Sequence, residues 1–240
     1  MSQYIKNYSG YSNTVSVGQS TIALYKSMYL WMTMGLGITA LTSFVVMNLL
    51  YTSESFANAF FSTPTMIFLL VASLAMVFVI NGMINRISFT MAHLLFCLYA
   101  VIMGAWMTPV LLVYTAASVT KVFLITAGTF GGMAVYGHAT NKDLSTVGRI
   151  CGMALWGVIL ASIVNLFMGS STMDYVISYL AVLIFCGLTM YDVQKFKNLL
   201  IGADSSNDSV RKIALLGALT LYLDFLNLFL HLLRILGRRK

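Results

Sequence analysis

Seven long apolar runs dominate this chain, at residues 24–51, 64–84, 89–114, 119–138, 147–169, 173–194 and 212–236. Each is about as long as a helix must be to cross a bilayer, roughly 20 residues. Seven such runs cannot be hidden inside a globule of 240 residues. The composition says the same. Hydrophobic residues make up 59% and charged residues 9%, against about 45–50% and about 25% in a soluble domain. Lipid must cover this surface, and in lipid the backbone must satisfy its own hydrogen bonds. The expected fold class is therefore an all-α polytopic membrane protein with seven transmembrane helices. A soluble enzyme, a nucleic-acid reader and a disulfide-stapled secreted domain are excluded.

Residues 1–21 are polar and rich in Ser, Tyr, Asn and Gly, without the apolar core of a signal peptide. They read as a mobile cytoplasmic arm, and residues 22–240 as a single seven-helix membrane domain. Pro64 sits where a first-turn proline is tolerated, while Pro109 falls inside the third run and predicts a kink. The longest break, Lys195 to Lys212, carries the loop chemistry of Gly202 to Ser209. No internal repeat is visible, which argues against an inverted-repeat transporter. Cys97, Cys151 and Cys186 lie far apart in apolar runs and read as buried hydrophobes.

The net charge of +7 reflects basic loops facing the cytoplasmic leaflet. With the amino terminus inside, the inner breaks hold Lys6, Lys26, Arg86, Lys142, Arg149, Lys195, Lys197, Arg211 and Lys212, while the outer breaks hold Lys121, Glu54 and Asp174. Arg234, Arg238, Arg239 and Lys240 break this pattern if the seventh run spans. A re-entrant last segment would place thirteen of the fourteen Lys and Arg inside. Its length argues the other way, because 25 residues make about 37 Å of helix.

Five of the seven acids sit in breaks or at segment ends. Asp192 and Asp224 do not. A carboxylate at the centre of a membrane helix costs at least about 2.5–3.5 kcal/mol to insert, so such a residue faces the bundle, water or a partner. The sixth and seventh runs form an antiparallel hairpin. Asp192 lies about 12 Å above the inner end of the sixth run, and Asp224 about 20 Å above Arg211. A seventh helix that protrudes further at its loop end would bring them level. Two carboxylates in contact cannot both ionise cheaply and share one proton, which makes a proton-sensitive latch. The other reading is that each acid snorkels or pairs separately with a hydroxyl or an Arg.

Arg86 closes the second run, as a cytoplasmic anchor or as a partner of the aspartates. His93, His138 and His231 fall in different runs without metal spacing and read as structural. Arg234 and His231, one turn apart, read as snorkelling residues. Gly128, Gly131, Gly132 and Gly137 offer small faces for close helix packing. No Ser/His/Asp triad, zinc signature or nucleotide motif is present, so neither enzyme activity nor a cofactor is expected.

Four blocks carry a further signal. They are Thr129-Phe-Gly-Gly-Met133 with Tyr136-Gly137; Asp143-Leu-Ser145; Gly187-Leu-Thr-Met-Tyr-Asp-Val-Gln-Lys195; and Gly217 through Tyr222, Asp224, Asn227 and His231 to Arg234, with Gly237. Through them the chain resembles the Bax inhibitor family, the transmembrane Bax-inhibitor-motif proteins, over roughly residues 20–240. The resemblance implies seven helices with the last one central, ringed by the other six. It implies that Asp192 and Asp224 are the family's aspartate pair, a proton-sensitive latch on a calcium leak path that meets passing cations only transiently. It also favours a spanning seventh helix and a bacterial member in the inner membrane, with a cytoplasmic amino terminus. Two departures stand out. The second run has no acid, Ser73 being its nearest polar residue, and the family's basic run after it shrinks to Arg86.

These readings give a pH-gated cation leak, with calcium and protons as the expected partners. Two alternatives remain open: a regulator of a membrane-bound quality-control protease, and a proton-coupled transporter. Beyond the lipid bilayer and these, no partner is expected, and no nucleic acid.

Overall fold

The computed structural model describes residues 2–240, with side chains described from Gln19 onward. Its helices are α1 (Ser2–Thr52), α2 (Glu54–Phe60), α3 (Thr63–Met83), α4 (Phe89–Val113), α5 (Ala116–Ala139), α6 (Ser145–Met168), α7 (Ser171–Leu200) and α8 (Asp208–Leu236). The seven expected spans are all present as helices long and apolar enough to cross a membrane. The arm expected over residues 1–21 falls largely outside the described side chains, within the length of α1. The short α2 was not expected. Ser53 caps it by accepting a hydrogen bond from the Phe56 N–H, and Glu54 complements its positive end. Pro64 lies in the first turn of α3, and α4 runs through Pro109 without a break.

Burial is shared unevenly among the spans. In α8, 67% of the most apolar window is buried, against 11% in α6 and 17% in α3. Helix α8 packs on α1, α4, α5 and α7, whereas α3 leans on α4 and α6 on α7. The last helix is thus the most enclosed, but its main neighbours are four helices rather than six.

A polar clamp holds one side of α8. The fully buried Tyr222 donates its hydroxyl hydrogen to Thr39 Oγ1 at 2.6 Å, and Thr39 donates onward to the Ala100 carbonyl at 3.0 Å. The chain of donors ties α8 to α1 and α4. Phe96 and Tyr99 set their rings edge-on to Tyr222.

Helix α8 crosses the whole bundle. Its far end joins the α4–α5 connection: the Thr115 N–H donates to the Arg238 carbonyl at 3.1 Å, and the Lys240 N–H to the Val113 carbonyl at 2.9 Å. Tyr114 and Arg239 form an isolated antiparallel bridge. Lys240 Nζ also donates to the Tyr51 hydroxyl at 3.5 Å. These partners sit at the end opposite Arg86, Lys142 and Lys197, so the length argument prevails over the charge count. A reporter fused after Lys240 and one inserted after Lys142 should read opposite sides of the membrane. The same side for both would exclude a spanning α8.

Of the four α5 glycines, only Gly137 makes a close approach. A Cβ there would run into the Met190 backbone of α7, whereas Cβ atoms at Gly128, Gly131 and Gly132 would meet nothing within 4 Å. Gly137→Ala should therefore push α5 off α7 and lower the melting temperature in detergent by several degrees, as overpacking against rigid backbone costs about 1–3 kcal/mol. Gly131→Ala should leave it unchanged or raise it, because alanine restricts the unfolded chain. Equal effects at both positions would remove the packing role of Gly137.

Candidate functional site

The site is built on the α7–α8 hairpin. Arg234 pairs with Asp174 at 3.2 Å, His231 Nδ1 lies 3.4 Å from Ser178 Oγ, and Gly217 lets α8 close on Phe196. This register puts Asp192 about one turn, or about 6 Å along the axis, from the level of Asp224. Helix α8 starts at Asp208, below Arg211, yet most of the offset expected from the sequence remains. Both carboxylates are buried, 7% and 5% exposed.

Glycine joints fix the position of Asp192. The residues before it, Met190 and Tyr191, press on Gly137 of α5 and Gly148 of α6, and Gly187 sits against Cys151. Two residues further on, Gln194 accepts from the Leu144 N–H at 2.9 Å and donates to the Lys142 carbonyl at 2.8 Å. The α5–α6 loop is thereby stapled to α7 beside the carboxylate. Lys195, three residues on, forms no ion pair with Asp192.

Neither aspartate has a hydrogen bond or ion pair among the described residues, and Asp224 Oδ2 is buried without a donor. Arg86 lies exposed in the α3–α4 turn, and no ion pair joins it to either carboxylate. Ser73 is buried but donates to the Leu70 carbonyl of its own helix. No cluster of three or more His, Cys, Asp or Glu able to hold a metal occurs among the described residues.

Asp224 opens instead onto a cleft of about 630 Å³ between α6 and α8, floored by α7. Thr220, Asp224, Asn227 and His231 face it from α8, and Ser162 from α6. The hydroxyl hydrogens of Thr220 and Ser162 go to the Leu216 and Val158 carbonyls, and the Asn227 amide donates to Leu223. What remains for the cleft is mostly lone pairs. A second cleft, about 450 Å³, shares His231 and reaches Asp174, Arg234 and Arg239 at the end of the bundle. There Asn165 donates to Asp174 at 2.8 Å.

The loop acids are of another kind. The Ser145 hydroxyl and N–H hold the Asp143 carboxyl below the usual carboxylate range, and the Ser206 N–H and hydroxyl do the same for Asp204. Both stay ionised as the pH falls from neutral to mildly acidic. Any titration in that window belongs to other groups.

Residues 21–240 match the family described as inhibitor of apoptosis-promoting Bax1. The chain belongs to the Bax inhibitor family. It is 43% identical over 220 residues to inner membrane protein YbhL of Escherichia coli K12, covering 89% of this chain and 90% of that protein. It is 34% identical over 224 residues to an uncharacterised membrane protein of Streptococcus pyogenes, covering 92% of this chain and 96% of the relative. Against this Bax inhibitor background, the structure adds residues that the sequence reading treated as incidental. His231 and Asn227 share a stripe with Asp224, and Asp174 binds the arginine read as snorkelling. Their spacing at 220, 224, 227, 231 and 234 is a helical polar face, legible in periodicity once α8 is known to be enclosed.

A buried carboxylate without a partner lowers stability. Asp224→Leu should therefore raise the melting temperature of the purified protein by several degrees while abolishing any function of the carboxylate. A lower melting temperature would mean that Asp224 has stabilising partners.

Proposed function

We propose that this protein is a pH-sensitive cation leak in a bacterial inner membrane, with the amino terminus and the Lys142–Arg149 loop cytoplasmic. The observation that carries the reading is the buried Asp192–Asp224 pair, neither acid hydrogen-bonded among the described residues, with Asp224 lining a cleft among oxygen acceptors. Those acceptors replace part of a cation's hydration shell, and the basic loops at one end follow the positive-inside rule. The bacterial setting draws on the name of the Escherichia coli relative and on seven spans. Calcium takes six to eight oxygens, including carboxylates. Two carboxylates with a few amide and hydroxyl oxygens suit passage of the ion better than storage.

The pair supplies the gate. At acid pH one proton shared between the carboxylates lets α7 and α8 stay together. Loss of that proton leaves two anions in low dielectric, whose repulsion favours separation. Calcium flux from liposomes holding the purified protein should rise as the pH is raised from mildly acidic to mildly alkaline. Asp192→Asn and Asp224→Asn should each flatten that profile, since a single acid cannot share a proton. A wild-type pH profile in either variant would defeat the latch. Absence of flux for every ion tried would favour the protease-regulator reading, which a membrane-protease pull-down tests directly.

A further inference from the structure

The α6–α8 cleft has a volume and an apolar wall that the passage of a small inorganic ion leaves unused. Its volume, about 630 Å³, is that of a site for a drug-sized organic molecule. Leu155, Val158, Ile159, Ile163 and Leu166 make one wall of it. At its mouth Ile163 is 52% and Leu166 81% exposed, so it opens sideways into the bilayer rather than to water. No Lys or Arg lines it. Its hydroxyls and amide have spent hydrogens on their own helices, which leaves acceptors turned to the cavity. At mid-depth stands Asp224, more than nine-tenths buried, with Oδ2 unpartnered.

An acyl chain would fill the apolar part and leave the carboxylate without a donor. A hydrated metal ion would satisfy the carboxylate and leave the apolar wall unused. A molecule with an apolar body and an ammonium head satisfies both, and such molecules partition into the bilayer from which the cleft opens. We propose that the α6–α8 cleft binds amphipathic organic cations of the alkylammonium class, with the ammonium donating to Asp224 and the alkyl body against Ile159, Ile163 and Leu166. The site uses the same aspartate as the leak but does not depend on conduction. Asn227 and Thr220, one turn to either side of Asp224, supply further acceptors for the ammonium hydrogens. His231 faces the same cleft from one turn beyond Asn227.

The test is equilibrium binding of a dansyl-labelled dodecylammonium to the full chain in nanodiscs, with empty nanodiscs subtracted, alongside a dansyl-labelled alkyl alcohol of equal length. The amine should bind saturably at one probe per chain, and the alcohol should bind at least tenfold more weakly. A hydrogen bond to a charged group is worth about tenfold or more, so Asp224→Asn should lose at least that much affinity. Ser162→Trp, at an exposed position on the cleft wall, should fill the cavity and abolish binding without disturbing the packed helices. The proposal is overturned by the absence of a saturable component, by equal binding of the alcohol, or by unchanged affinity in both variants. Ion flux measured on the same purified proteins in liposomes separates the two proposals. Amine binding without flux leaves the site and removes the leak, while flux without amine binding does the reverse.

Discussion

Lipid offers no hydrogen bonds, and that constraint organises this protein. Nearly every hydroxyl in the spans turns back on a carbonyl of its own helix, as Thr108, Thr126, Ser178 and Thr189 do. A few reach across: Thr39 and Ser43 join α1 to α4 through backbone oxygens, Tyr25 joins α1 to the Lys197 carbonyl of α7, and Tyr222 joins α8 to Thr39. Two buried side-chain atoms lack a partner among the described residues, His93 Nε2 and Asp224 Oδ2. Asp224 lies in the most enclosed helix, beside a cleft that the surrounding helices leave unfilled. The clamp at Tyr222 and the open face at Asp224 are two sides of one helix, one settled by hydrogen bonds and the other left available.

Much of this was legible in the sequence because hydrophobicity alone sets the spans. Six of the seven emerged within about six residues of their observed limits, while α1 begins far ahead of residue 24, at Ser2; the two mid-helix acids stood out by their cost. What stayed hidden depended on which way side chains face. The glycines of α5 look alike in sequence, yet three face outward and only Gly137 meets α7. Helix α2 is too short and too polar at its start to show as an apolar run. The balance between charge and length for the last segment was settled by its tail hydrogen-bonding beside Val113 and Thr115, which no local pattern records. The offset between the aspartates depended on how far α8 extends below Arg211, a matter of the Asn207 cap rather than of hydropathy.

The family resemblance and the physical reading meet at Asp192 and Asp224 but differ over their surroundings. Among the described residues no basic side chain pairs with either aspartate, and Arg86 stays at the surface. The sharp features around Asp192 are steric instead: three glycine joints and the Gln194 staple hold one turn of α7 in place. Position is thus set by shape, and charge is left free to respond.

The strap formed by residues 238–240 has a mechanical consequence. Because it fastens the end of α8 to the α4–α5 connection, α8 behaves as a fixed post. Helices α6 and α7, joined through Gly148 and Gly187, form a leaf hung beside it. The leaf is attached at one end by the loop at Gly202, whose positive φ of 74° only glycine adopts readily, and caught at the other by the Asp174–Arg234 ion pair. A load that parts α7 from α8 is therefore resisted along their packed seam, between a tight glycine turn at one end and a polar catch at the other.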